Sequence, residues 1–292
     1  MAPALTPVYI VVALAVFTCC ATTSQEPSGG EQAPMTFKTQ TATVRHETTI
    51  AYWETGKVEA PVVVYVHGNT GSRIWFERAM AVDGYRVIAP DLPNFGDSDS
   101  LDTADIDIYA DYLAAFLAEL KVSQVYLVGH SLGGAVAISL TVRYPELVER
   151  LLLVDSASLQ GLHTPEEYYP VIEQYQSNRA LMRQALGAVT PTMQDPEYLD
   201  RLTDTAMGMN PIAFSGNPRA LDRFNYAGRV ADVTIPVLVV RGEHDALITD
   251  DMAQSTADAF PQGAFRRLDG VGHSVMVEDP ERFLALVQEF GR

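Results

Sequence analysis

Cysteine is nearly missing from this 292-residue chain: its only two, Cys19 and Cys20, sit side by side near the start. No disulfide framework is therefore implied for the rest of the sequence. Basic residues are scarce as well, with 20 Lys and Arg against 37 Asp and Glu for a net charge of −17. An acidic surface of this kind keeps the chain soluble and disfavours nucleic acid and anionic membranes as partners. The histidines form no pair at metal-ligand spacing and no cysteine lies near them, so neither a metal nor a cofactor is expected. Long apolar runs are limited to one, Val8 to Phe17, which is too short to span a membrane comfortably.

What is present is a regular alternation of strands and helices. Apolar strand patterns at Val62–Val66, Val87–Pro90, Val125–Val128, Leu151–Val154, Pro236–Val240 and Ala264–Leu268 alternate with helical patterns at Ile106–Leu120, Leu132–Tyr144, Asp250–Phe260 and from Pro280 to Phe290. Alternation predicts an α/β fold, a mostly parallel sheet with helices on both faces. Thr39–Thr55 reads as an antiparallel edge hairpin. A hydrophobic content of 47% is that of an ordinary globular protein, and the length suits one domain carrying an insertion.

The most informative stretch is Gly129-His130-Ser131-Leu132-Gly133-Gly134, directly after the strand Val125–Val128. It reads as a strand running into a sharp turn that presents a serine, a nucleophile elbow, although an inert strand-turn-helix junction would look the same over six residues. A serine hydroxyl needs a base to take its proton, and a base needs an orienting acid. His273, in Asp269-Gly270-Val271-Gly272-His273-Ser274, fits the base. Asp245, in Arg241-Gly242-Glu243-His244-Asp245 after another strand, fits the acid, with Asp155 after Leu151–Val154 as the rival. The chain order Ser, Asp, His is that of α/β hydrolases. His67 and His130 read as loop braces, His244 as pointing away from the site, and His163 has no assigned role.

These blocks together resemble the α/β-hydrolase superfamily from about Thr39 to Arg292, in the style of capped serine esterases, C–C hydrolases and haloperoxidases. His67-Gly68-Asn69 resembles its oxyanion loop, and Asp91-Leu92-Pro93-Asn94-Phe95-Gly96-Asp97-Ser98 resembles its D-x-P-G-x-G-x-S segment, with Asn94 where glycine is usual. Gly270-Val271-Gly272-His273 followed by Pro280-Glu281-Arg282-Phe283 is a familiar ending. The resemblance implies an oxyanion hole from the backbone N–H groups of Asn69 and Leu132. H-G-N is also similar to haloalkane dehalogenases, which hold halide with that asparagine. Those enzymes and the epoxide hydrolases carry an aspartate nucleophile, and Ser131 excludes both.

The expected activity is hydrolysis of a small-molecule carboxylic ester or related acyl compound by Ser131, His273 and Asp245, without a cofactor. The same triad would serve a C–C bond hydrolase for vinylogous diketones or a cofactor-free perhydrolase. A non-catalytic binding protein on this fold is the alternative from another class. A helical cap is expected at about 158–230, with helices over Tyr168–Leu186 and Glu197–Met207 broken by Pro191 and Pro196. Such a cap suits a small or medium, partly apolar substrate reached through a gated entrance.

The amino terminus carries a separate expectation. Residues 1–21 read as an export signal and 22–36 as a flexible linker, despite the lack of Lys or Arg before the apolar run. Cys19-Cys20 resembles the acylated cysteine of bacterial lipoproteins within a poor lipobox, and cleavage after Ala21 is the rival. The expected location is periplasmic, lipid-anchored or secreted, with membrane attachment only through that N-terminal lipid.

Overall fold

In the computed structural model, residues 37–292 are described, so the expected signal and linker lie outside them. The strands are β1 (Gln40–Thr43), β2 (Thr49–Thr55), β3 (Val62–Val66), β4 (Arg86–Pro90), β5 (Val125–His130), β6 (Val148–Val154), β7 (Val237–Gly242) and β8 (Gly263–Leu268). They form one eight-stranded sheet in the order β1-β2-β4-β3-β5-β6-β7-β8. At one edge β1 pairs antiparallel with β2 and β2 antiparallel with β4, and the remaining neighbouring pairs are parallel. The central strands are buried almost end to end, as continuous runs such as Val125-Tyr126-Leu127-Val128 require when both faces are covered.

The helices are α1 (Ile106–Glu119), α2 (Leu132–Arg143), α3 (Tyr169–Gln174), α4 (Arg179–Val189), α5 (Pro196–Met207), α6 (Pro211–Arg223), α7 (Asp250–Ala259), α8 (Val275–Glu278) and α9 (Pro280–Phe290). Side-chain caps set several starts: Asp105 accepts from the N–H groups of Asp107 and Ile108, Thr249 from Met252 and Asp279 from Arg282. Tyr65 and Tyr126 show one face of the sheet to α9, where Phe283 and Phe290 meet them at ring distances of 5.3 and 5.8 Å. α2 lies on the opposite face. A Cβ on Gly129 there would approach Ala137 to 2.8 Å, which is why the strand can run so close beneath the helix.

Between β6 and β7 the chain leaves the sheet to form α3 to α6, and here the structure departs from the sequence reading. The single helix expected over Tyr168–Leu186 is two: α3 ends at Gln174, and Asn178 caps a new start at α4 by accepting from Leu181 N–H. Pro196 begins α5 rather than breaking a helix, since a first-turn proline lacks only an N–H that has no helical partner anyway. α6 was not expected. It begins at Asn210-Pro211, with Asn210 accepting from Ile212 N–H, and it carries Pro218 inside. No helix among the described residues is long and apolar enough to cross a membrane.

Candidate active site

Ser131 stands between β5 and α2 with φ +53° and ψ −118°, a strained conformation that lifts its side chain off the sheet. Glycine is required just beyond it. A Cβ on Gly133 would lie 2.4 Å from the carbonyl oxygens of both Val66 and His67. The same close approach brings the end of β3, with Asn69, against the start of α2. The N–H groups of Asn69 and Leu132 have no hydrogen-bond partner among the described residues, so both are free to serve an incoming oxygen.

His273, in the loop between β8 and α8, is only 4% exposed and its Nδ1 lies 2.8 Å from Asp245 Oδ2. With Nδ1 donating to the carboxylate, Nε2 carries a lone pair and has no partner among the described residues. His273 and Ser131 line one cavity of about 200 Å³, although no direct hydrogen bond joins their side chains. Such bonds often form only once substrate is bound. The rest of the wall is apolar for the most part, with Trp75, Val171, Ile172, Met182, Leu186 and Val189 among its members.

The two rival acids have different environments. Asp245 accepts from His273 and, through Oδ1, from the N–H groups of Leu247 at 2.7 Å and Ile248 at 3.1 Å. Burial pushes its carboxyl up, but the His273 ring and these N–H donors outweigh burial and hold it below the ordinary value. Asp155 lies behind it, fully buried at φ +45°, with Oδ1 accepting from Gly242 N–H at 2.8 Å and Oδ2 unpartnered. Burial, then the negative charge of Asp245, raises Asp155 well above the carboxylate range. One side-chain atom from each of Asp155, Asp245 and His273 lies within 4.8 Å of the other two. The acid that meets the histidine is Asp245, and Asp155 stands behind it, its carboxyl pushed upward by burial and by the charge of Asp245. The trio could in principle hold a metal ion, but these groups are already engaged with one another and with backbone N–H donors.

Buried histidines brace the loops. His67 Nε2 accepts from Leu92 N–H at 3.0 Å, which leaves Nδ1 to donate to the Gly68 carbonyl at 2.8 Å. Burial lowers its pKa to about 4. His130 Nε2 donates to the carbonyl of His273 at 2.9 Å, and burial, then the neighbouring His273, brings it down to about 3. His163 sits on the cavity rim, 2.6 Å from Asp222. His244 contributes its backbone N–H to Val271 and lies outside the cavity wall.

Several supporting residues escaped the sequence reading because their partners are distant in the chain. Arg241 grips the acid loop through the carbonyls of Asp245 and Ile248, both at 2.7 Å. Glu278 accepts from the N–H groups of Gly272 and Ser274, on either side of His273, and from Thr192 of the long insertion. A Cβ on Gly272 would lie 2.4 Å from Pro191, so the insertion presses directly on the histidine loop. Asn217 of α6, wholly buried, donates to Asn69 Oδ1 at 2.8 Å. Only Arg241, beside the Gly-Glu-His-Asp segment, had a local signal.

Residues 63–286 match the alpha/beta hydrolase family. Lipase 3 of Moraxella sp. (strain TA144) is 26% identical over 285 residues, which cover 89% of this chain and 87% of the lipase. The 2-hydroxy-6-oxononadienedioate/2-hydroxy-6-oxononatrienedioate hydrolase of Burkholderia vietnamiensis is 27% identical over 274 residues, 84% of this chain and 92% of that enzyme. Among solved structures, the enol-lactonase from Burkholderia xenovorans LB400 shares the fold with a TM-score of 0.78 at 21% identity, covering 86% of this chain and 99% of its own. The elbow, the strand order and a family match across most of the sequence agree, and the chain belongs to the alpha/beta hydrolase family as a hydrolytic enzyme.

Proposed function

We propose that the protein is a serine hydrolase that cleaves a carboxylic ester or related acyl compound through an acyl-enzyme. Ser131 Oγ attacks the carbonyl carbon while His273 Nε2 takes its proton, and Asp245 stabilises the imidazolium through Nδ1–H. The oxyanion settles on the N–H groups of Asn69 and Leu132. As the tetrahedral intermediate collapses, His273 gives its proton to the leaving alcohol and the acyl group stays on Ser131. Water, deprotonated by the same histidine, attacks the acyl carbon and releases the acid. No step calls for a cofactor.

The observation that carries this reading is the 2.8 Å pairing of His273 Nδ1 with Asp245, which leaves the basic Nε2 facing a cavity shared with Ser131. Free N–H groups on Asn69 and Leu132 support it, since a binding protein needs neither a poised base nor an oxyanion hole. A C–C hydrolase is the second reading, favoured by the likeness to the Burkholderia vietnamiensis enzyme. That enzyme's name specifies a dioate, and no Lys or Arg among the described residues lines the cavity here to meet two carboxylates. A panel of neutral alkyl esters and a vinylogous diketone acid, assayed with wild type and Ser131→Ala, separates the readings. Ester turnover lost in Ser131→Ala is the expected result; turnover of the diketone alone favours the second reading.

A further inference from the structure

A buried chain of hydrogen bonds runs from the loop after β4 to the cavity wall, and backbone groups at its far end settle its direction. Asn94 Oδ1 accepts from the N–H of Leu101 at 2.7 Å, and its Nδ2 donates to the carbonyl of Thr103 at 2.8 Å. A backbone N–H cannot accept and a carbonyl cannot donate, so the Asn94 amide has one orientation. The second hydrogen on Nδ2 goes to the Tyr109 hydroxyl at 3.1 Å. That hydroxyl sends its own hydrogen to Asn217 Oδ1 at 2.9 Å, and Asn217 Nδ2 then donates to Asn69 Oδ1 at 2.8 Å. Tyr109 and Asn217 are both 0% exposed, which leaves no room for water to reverse the sequence.

Asn69 is thereby turned with its oxygen inward. Its NH₂ group has no partner among the described residues, and Asn69 lines the cavity that holds Ser131 and His273. Asn94 is essential to this polarity. Its φ of +77° would suit glycine, yet only a side-chain amide can start the relay.

We propose that Asn69 Nδ2 is a substrate-binding donor and that the enzyme selects uncharged acyl substrates carrying a second oxygen acceptor, a ketone, ether or ring oxygen, close to the scissile ester. The proposal rests on the serine-hydrolase reading above. Charge is disfavoured because the wall is mostly apolar, its polar members are neutral hydroxyls such as Tyr175 and a His163 already paired with Asp222, and among the described residues no Lys or Arg lines it, so a carboxylate would lack a cationic partner. Size follows from the volume: an apolar cavity of about 150 Å³ holds benzene, so about 200 Å³ suits an acyl group of a few carbons. Asn94, Tyr109 and Asn217 act as positioning residues, touching no substrate themselves.

Three ethyl esters of equal chain length test it: pentanoate, 4-oxopentanoate and the monoethyl ester of succinate, each followed by acid release. In wild type, kcat/KM for the 4-oxo ester should exceed that for pentanoate by about tenfold or more, because a donor left unpaired in the smaller contact is costly. Monoethyl succinate should fall about a hundredfold below pentanoate. Asn217→Asp offers Asn69 only an acceptor, so the Asn69 amide must turn and present its oxygen to the cavity. The ratio of the two neutral esters should then drop to one or below, mainly through KM, and this ratio is insensitive to a general loss of activity. Tyr109→Phe, which frees Asn217 to turn, should lower the ratio part of the way and guards against misfolding of the aspartate variant. Equal kcat/KM for the neutral esters in wild type, or a 4-oxo preference untouched by both folded variants, overturns the proposal. If none of the three esters is cleaved and Ser131 resists a fluorophosphonate, the serine-hydrolase reading itself has failed.

Discussion

Ser131 and His273 on the cavity floor, with Asp245 behind the histidine, sit on loops pinned by buried hydrogen bonds, whereas Val171, Ile172, Met182 and Leu186 in the roof belong to short helices. The outer faces of those helices carry exposed ion pairs such as Arg179 with Asp200 and Asp204. The floor is held by groups whose geometry allows little substitution: Glu278 under His273, Arg241 around Asp245, a glycine beneath Ser131. The roof is held by apolar area, which many side chains of similar volume can supply. On the proposed reading, reaction type belongs to the floor, and substrate choice to the roof together with the polar relay that reaches Asn69 from the loop after β4.

The largest effect should come from the floor. Ser131→Ala is expected to lower ester turnover by about 10⁴-fold or more while leaving the melting temperature within a few degrees; near-normal turnover would break the distinction between floor and roof. Asp245→Asn should cost about 10⁴-fold in kcat, because an amide cannot stabilise the imidazolium. Asp155→Asn should cost tenfold or less, since an amide oxygen can still accept from Gly242 N–H and Asp155 makes no hydrogen bond to His273. Equal losses in steady-state assays of the two variants would mean that the carboxyls share the role.

Acid should weaken the floor before the roof. His67 and His130 have folded pKa values of about 4 and about 3, below an unfolded value near 6.5. At these two sites the unfolded chain binds more protons as pH falls below 6.5, so their share of stability is lost down to the folded values, and the raised carboxyls of Asp91 and Asp155 offset part of that loss. Denaturant melts at pH 7, 5.5 and 4 measure this; a stability independent of pH over that range would contradict it. Leu186→Ala in the roof should cost about 2–4 kcal/mol through the cavity it leaves, with a change in chain-length preference larger than the change in kcat. Smallest of all, Arg179→Ala should shift stability by less than about 1 kcal/mol, since exposed ion pairs are screened by water.

The same division explains what could be read from the sequence. The elbow was legible because Gly129, Ser131 and Gly133 carry its constraints within a few residues, and His273 and Asp245 because strand ends announce themselves locally. Choosing between Asp245 and Asp155 needed the distance to His273. The roof was misread in two places, and each has a local cause: Asn178 serves as a cap inside an apparently continuous period, and Pro218 sits inside a helix whose start at Asn210-Pro211 looks like a turn, whereas the helix expected from Glu197 is α5 with Pro196 as its first residue. Glu278, Tyr109 and Asn217 gave no signal at all. Their partners lie far away in the chain, and only the fold brings them together.

The most direct test of the account is labelling by a fluorophosphonate, read by intact-protein and peptide mass spectrometry on wild type, Ser131→Ala and His273→Ala. Stoichiometric modification of wild type at Ser131, abolished by both substitutions in folded protein, is the predicted result. Failure of well-folded wild type to label, or labelling that persists at another residue in Ser131→Ala, would contradict the assignment of Ser131 as an activated nucleophile.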